Sequence, residues 1–404
     1  MKYLFGIEEA GGGEKEEDVG WFKAIKKKIK DKEANRILQR IDAVTKIYSR
    51  DFNLKIKPYK GNLWAISYET DPPTVLFPEK DLSTKSADEI VGSAIHEGVH
   101  RDITWGVPGV FAKKESTRLL LNGIEDPRVN NWAMEKMAGS RKYMDVMYKN
   151  NFPEFPEEKF QDDKVLPHVQ YVLGIIHYWF YGKEHPAIKN KDVLDALTKT
   201  RKEVEEIYNI HAGKVTFSLK DRDTIVVNSI NYGKKMYSLP RPGQIRALGR
   251  DDIGSIERID EDNIRLSTAK GRETMELPEI GEKVTRLVTF WPSAQDKKKA
   301  FLTVAKRIEE NVLPEYDKLV VKSMDISRQG IKGGSGQRMS DDEIEEQARE
   351  KVEEQSKDFA DSFGGQIVPE DDRKPDDSDD RGVSGDDENE PGEGKPGEGK
   401  PGEG

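Results

Sequence analysis

Two of the chain's six histidines stand four residues apart in SAIHEGVHRDIT, residues 93–104. On an α-helix that spacing puts both rings on one face, one turn apart. The flanking residues supply the helix. Ser86 and Glu89 form the S-x-x-E pattern of a capping box, Ile90, Val91, Ala94, Ile95 and Val99 carry an apolar face onward, and Gly106 and Pro108 end it.

The chain has no cysteine. Disulfides, thiolate zinc sites and cysteine nucleophiles are therefore excluded, and His, Asp and Glu remain as metal ligands. Two neutral imidazoles and one carboxylate leave a zinc ion with a fourth position for water, the arrangement that lowers water's pKa towards neutrality. Glu97, beside the histidines, can take a proton from that water and pass it to a leaving amine.

Around this helix the pattern changes several times. From Trp21 to about Arg50 apolar residues recur at three- and four-residue steps, a helix with room for one break. LKIKP, LWAISYE and TVLFP, between 53 and 78, alternate as short strands and predict a small sheet before the histidine helix. A second helix is expected from Ser116 to about Glu125, with Pro127 marking a kink or a new first turn before Val129 to Met137. Further helices are expected near 166–182, 191–209 and 295–313. Between 212 and 286, runs such as VTFSL, TIVV and NIRLST, broken by Gly and Asp turns, read as a small all-β insert suited to a compact barrel.

Charge is unevenly spread. Residues 341–404 hold 24 acidic and 8 basic side chains, net −16, so against −10 for the whole chain the first 340 residues carry +6. The ending PGEGKPGEGKPGEG is low-complexity, and everything from 327 onward reads as a disordered acidic tail, with an amphipathic helix near 341–358. The G-x-x-x-x-G-K at 394–400 is followed by Pro401 and lacks a preceding strand, so it is an accident of the repeat. The chain stops inside that repeat, which leaves room for a further domain. The basic runs at 26–32 and 297–299 sit on helical patterns without interleaved aromatics and read as solvated faces. No stretch approaches the roughly 20 apolar residues of a membrane span, and the N-terminal apolar run is too short for a signal peptide. A cytoplasmic protein is the resulting expectation.

The HEGVH segment resembles the zincin metallopeptidases. The metzincin extension fails, because Ile103 stands where Gly is required and no third histidine follows. The gluzincin-like alternative implies a carboxylate on a following helix, and LLLNGIEDPRV at 119–129 offers Glu125, three residues after Asn122 and 25 after His100. N-x-x-E-D-x-R is also similar to metallopeptidase-like segments that accompany von Willebrand factor A domains in bacterial proteins. The resemblance implies an α+β zincin-like fold in which His96, His100 and Glu125 bind Zn2+ and Glu97 is the general base. Asp126 is the alternative ligand or orients an imidazole, and Arg128 holds either carboxylate. His177 and Tyr178, on the aromatic-rich helix at 167–185, are the candidate oxyanion donors.

The expected organisation is a zincin-like domain at 1–211, the β insert at 212–286, a helical return at 287–326 and the tail at 327–404. The expected activity is hydrolysis of a protein or peptide substrate. Two alternatives come from other classes. One is a non-catalytic, metal-stabilised regulatory or assembly protein that engages a partner through the β insert and the acidic tail. The other is a nucleic-acid-associated module, for which the absence of aromatics among the basic runs is unfavourable.

Overall fold

The computed structural model describes residues 16–62, 64–67, 73–106, 108–152, 165–230, 233–249, 253–334 and 339–363. The basic run at 26–31 has no described side chains, and the GGSGQR linker beyond Gly334 and the repeats after 363 lie outside the described residues.

Helix α1 (Glu16–Ser49) is unbroken. Strands β1 (Lys55–Tyr59), β2 (Ala65–Ser67) and β3 (Thr74–Pro78) make the expected small sheet in the order β1-β3-β2, with β1 parallel and β2 antiparallel to β3. Its apolar residues Ile66, Val75 and Phe77 meet Ile37 and Ile41 of α1 and Ile90 and Ala94 of the next long helix in one buried cluster. After a short α2 (Asp81–Thr84) comes α3 (Ala87–Ile103), whose first turn is capped as the sequence predicts: Ser86 Oγ accepts from the Glu89 amide at 3.2 Å.

Every residue of α3 from Glu89 to Ile103 is buried. A helix covered on all sides usually reads as apolar all round. This one carries His96, Glu97, His100, Arg101 and Asp102 into the interior, so each must find partners there or shift its charge state. Arg101 is paired with Asp51 at 3.1 Å. Asp102 takes Lys297 at 2.8 Å and Lys136 at 3.6 Å, and burial holds the Lys136 ammonium below its usual pKa range. Lys297 therefore does not belong to a solvated face as its KKK run suggested; it is 5% exposed.

Helix α4 (Gly109–Ala112) leads into α5 (Glu115–Lys136), followed by α6 (Arg141–Asn151), α7 (Pro167–Tyr181) and α8 (Lys191–Tyr208). Of the kink and the new first turn expected at Pro127, α5 rules out the new turn: it runs through Pro127 without ending. Proline within a helix costs roughly 3 kcal/mol. Burial of Leu119, Leu120, Leu121 and Ile124 before it and Val129, Trp132 and Ala133 after it outweighs that cost.

The insert contains β4 (Lys214–Asp221), β5 (Thr224–Ser229), β6 (Gly233–Ser238), β7 (Ile245–Ala247), β8 (Ile253–Arg258), β9 (Asn263–Thr268), β10 (Gly271–Glu276) and β11 (Val284–Leu287). These form two four-stranded sheets, β10-β9-β8-β7 and β11-β4-β5-β6, around one core that includes Phe217, Ile225, Val227, Ile256 and Leu266. The chain returns through α9 (Ala294–Asn311) and α10 (Leu313–Gly334). A last helix, α11 (Asp341–Phe363), lies on the helical body. Helix thus extends past 327, where the composition suggested disorder, and α11 covers the amphipathic segment expected near 341–358. Ile344, Ala348, Val352 and Ser356 recur every four residues and are buried, and the acidic residues occupy the outer positions. Glu353 accepts from Ser116, and Gln355 from the Leu166 amide. The architecture is α+β, mainly helical with small sheets, and no helix among the described residues is long and apolar enough to cross a membrane.

Candidate metal centre

His96 and His100 emerge from consecutive turns of α3 with their Nε2 atoms 3.1 Å apart and their rings edge to face. Asp126 of α5 completes the group, its Oδ1 lying 3.2 Å from His100 Nε2 and 3.9 Å from His96 Nε2. The three are 3%, 7% and 2% exposed. This buried cluster could hold a metal ion.

The hydrogen bonds behind the rings fix which nitrogen faces inward. His96 Nδ1 lies 2.9 Å from Asn130 Oδ1, and Asn130 Nδ2 donates to the Tyr148 hydroxyl at 2.7 Å. An amide oxygen only accepts, so His96 carries its proton on Nδ1. His100 Nδ1 lies 3.0 Å from Thr104 Oγ1, whose own proton goes to Glu125 Oε1 at 2.7 Å. His100 Nδ1 is therefore also the donor, and both Nε2 atoms turn lone pairs towards Asp126. Burial lowers the pKa of both histidines to about 4, so each ring is neutral near pH 7. For His96 the neighbouring His100 adds to that effect, opposed by Asp126 and Asn130. Burial raises Asp126 to about 7, against the opposing pull of His96. Three acceptor atoms thus meet at one point, which is unfavourable unless a cation or a proton stands between them.

Glu97, on the same turn as His96, is 2% exposed, and its Oε1 makes no hydrogen bond among the described residues. Burial, with Asp126 nearby, raises its pKa well above the usual carboxylate range. A cation nearby would act against this rise by favouring the ionised carboxylate.

Glu125, the expected third ligand, instead accepts from Arg128 through both oxygens, Nε to Oε2 at 2.7 Å and Nη2 to Oε1 at 2.5 Å, as well as from Thr104. Arg128 is wholly buried and also donates to the carbonyls of Ile210 and Ile103. The guanidinium geometry accounts for the difference: a planar fork three residues along the helix matches the Glu125 carboxylate and holds it away from the imidazoles. Arg128 does hold a carboxylate, and Glu125 is the one it holds. Asn122, Asp126 and Asn130 lie at four-residue steps on α5, and all three are buried.

The expected oxyanion donors lie among other partners. His177 packs at the C-terminal end of α7 against Tyr181 and His185, its Nδ1 3.0 Å from the Lys183 carbonyl, and Tyr178 lies beneath the Arg201 guanidinium. The aromatic side chain tied to the histidine pair is Tyr148, whose hydroxyl is held by Asn130 and raised in pKa by burial and then by Asp126. Sequence reading missed Asn130, Thr104 and Tyr148. The first was legible as the residue four beyond Asp126, and the second as the residue four beyond His100. No family model, curated protein or solved structure matches the chain.

Proposed function

We propose that the chain is a zinc-dependent metallopeptidase, with His96, His100 and Asp126 as ligands and Glu97 as general base. The observation that carries this reading is the convergence of three inward-facing acceptors beside a buried carboxyl whose Oε1 has no hydrogen-bond partner among the described residues. Ligands bound at 2.0–2.1 Å to a tetrahedral ion lie roughly 3.3 Å apart, close to the 3.1, 3.2 and 3.9 Å separations here. Zinc so held supplies Lewis acidity and an open position for water. Glu97 accepts a proton from the attacking water and returns it to the leaving nitrogen as the carbon–nitrogen bond of the peptide breaks. Asn130 and Thr104 keep both imidazoles in the ligating tautomer.

Purified protein should carry about one zinc per chain, lost on His96→Ala or His100→Ala. Glu97→Gln should keep the metal and abolish cleavage of unfolded protein substrates. Protein without bound zinc, and with no uptake of it on titration, sinks the reading. Burial of all four groups favours one other reading, a metal-stabilised regulatory or assembly protein. That reading prevails if zinc binds and Glu97→Gln behaves as wild type in every assay.

A further inference from the structure

The two sheets of the insert end in strands of different kinds. β10 and β11 are joined: the Lys270 amide, just before β10, donates to the Val288 carbonyl, just after β11, at 3.0 Å, and Arg286 pairs with Glu273 at 3.2 Å. β6 and β7, the other two terminal strands, are tied by a bond from the Tyr237 hydroxyl to the Leu248 carbonyl at 3.1 Å. Every residue of β7 is exposed, and so is every residue of β6 except Tyr237. β6 is therefore an open edge. In an antiparallel sheet, alternate residues of a terminal strand turn N–H and C=O away from their neighbour, so half of the β6 backbone is left to water or to another strand.

Pairing with β5 fixes the face that each β6 side chain takes. Lys235 and Tyr237 stand opposite Val227 and Ile225, on the side of the core, and Lys234 and Met236 stand opposite Asn228 and Val226, on the outer side. On each face a cation is thus followed by an apolar side chain. Lysine on an edge strand guards against pairing between copies, because two such edges repel one another. That role does not account for Met236, 59% exposed, or for Ile245 on β7, 67% exposed, where polar residues would protect the edge better. Arg241 and Arg246 are exposed on the adjoining stretch, and neither they nor Lys234 and Lys235 make an ion pair among the described residues. Like charge disfavours a second β6, whereas these cations beside exposed apolar side chains select an acidic, partly apolar strand.

We propose that β6 is the docking edge for an extended acidic segment of a partner protein. The segment adds to the β11-β4-β5-β6 sheet as an antiparallel strand, with two apolar side chains opposite Tyr237 and Met236 and two carboxylates opposite Lys235 and Lys234. Antiparallel addition continues the pairing already present in this sheet and is the commoner mode. Main-chain hydrogen bonds supply the affinity, and the four side-chain pairs set the register. The inference is independent of the metal centre and of any peptidase activity.

The test is fluorescence anisotropy of the full chain with a labelled, end-blocked peptide whose central residues are isoleucine, valine, glutamate and glutamate. The peptide should bind, and Lys234→Glu and Lys235→Glu, both at exposed positions, should each weaken it about ten-fold. Met236→Thr, which keeps strand propensity, should weaken it about three-fold. Arg272→Glu, on the opposite terminal strand β10, should leave the affinity unchanged. Methylating the backbone nitrogens on one edge of the peptide should abolish binding, while methylating those on the other edge is tolerated. The proposal is overturned by no binding at millimolar peptide, by binding that survives both methylated forms or both lysine variants, by an equal loss in Arg272→Glu, or by tighter binding of a single-stranded oligothymidylate.

Discussion

Glu125 and Asp126 are adjacent on α5 and serve different partners: Asp126 Oδ1 lies 3.2 Å from His100 Nε2, while both oxygens of Glu125 are occupied by Arg128. The two carboxylates should therefore fail differently when removed. Asp126→Ala should lower zinc affinity by more than the ten- to hundred-fold typical of residues that only orient a ligand, with the fold kept. Glu125→Gln should leave the three donor side chains in place but strand a buried guanidinium, at a cost of about 3–5 kcal/mol in stability. Metal competition with a chelator and urea unfolding separate the two, and the assignment fails if Glu125→Gln is the variant that stays folded and loses zinc.

Asn130 and Tyr148 form a relay behind His96, and the relay predicts graded losses. Asn130→Ala removes the group that holds the His96 proton on Nδ1 and should weaken metal binding by about ten- to hundred-fold. Tyr148→Phe removes only what orients the amide, so its effect should be smaller. Equal effects would mean that Tyr148 acts on the metal site directly and not through Asn130.

What the sequence made legible depended on how local each signal was. The histidine helix could be read because its cap, its apolar face and its spacing all lie within 18 residues. α5 was read as ending near Pro127 because proline is a local breaker, whereas the burial of both halves that overrides it is a tertiary effect. That one misreading hid the Asn122–Asp126–Asn130 stripe, while Glu125 stood ahead of Asp126 on the gluzincin-like resemblance. The α11 helix was legible as an amphipathic segment near 341–358, but its strongly acidic composition hid that the Ile344, Ala348, Val352 and Ser356 face is buried on the helical body. The Arg128–Glu125 pair was half legible: the three-residue spacing is visible in the chain, but only packing shows that it is wholly buried.

His168 predicts a pH dependence of stability away from the metal centre. It is buried between Ser323 of α10 and Ser356 of α11, 2.8 Å from each hydroxyl, and burial lowers its pKa to about 3. A histidine unfolded in water titrates near 6.5. Between these values the unfolded chain binds a proton that the folded chain refuses, so this contribution is intact above about pH 6.5 and is lost as pH falls towards 3. His168→Gln, which retains hydrogen-bonding capacity, should flatten the decline in urea-derived stability over that window. An unchanged slope would show that His168 is not held neutral.

Gly98, at the centre of HEGVH, serves packing. A Cβ there would meet the Thr45 carbonyl oxygen at 2.9 Å and Tyr48 Cβ at 3.0 Å, where α1 crosses α3. Gly330 of α10 is the natural comparison, because a Cβ there meets nothing within 4 Å. Gly330→Ala should stabilise the chain by about 0.5–1 kcal/mol through helix propensity alone. Gly98→Ala gains the same propensity but must push apart two helices through backbone contacts, an overpacking cost of roughly 1–3 kcal/mol that turns the sign. Urea midpoints for the two variants decide the matter. If Gly98→Ala stabilises as Gly330→Ala does, α1 does not lie on α3 at this distance, and the close cover over the histidine helix is lost with it.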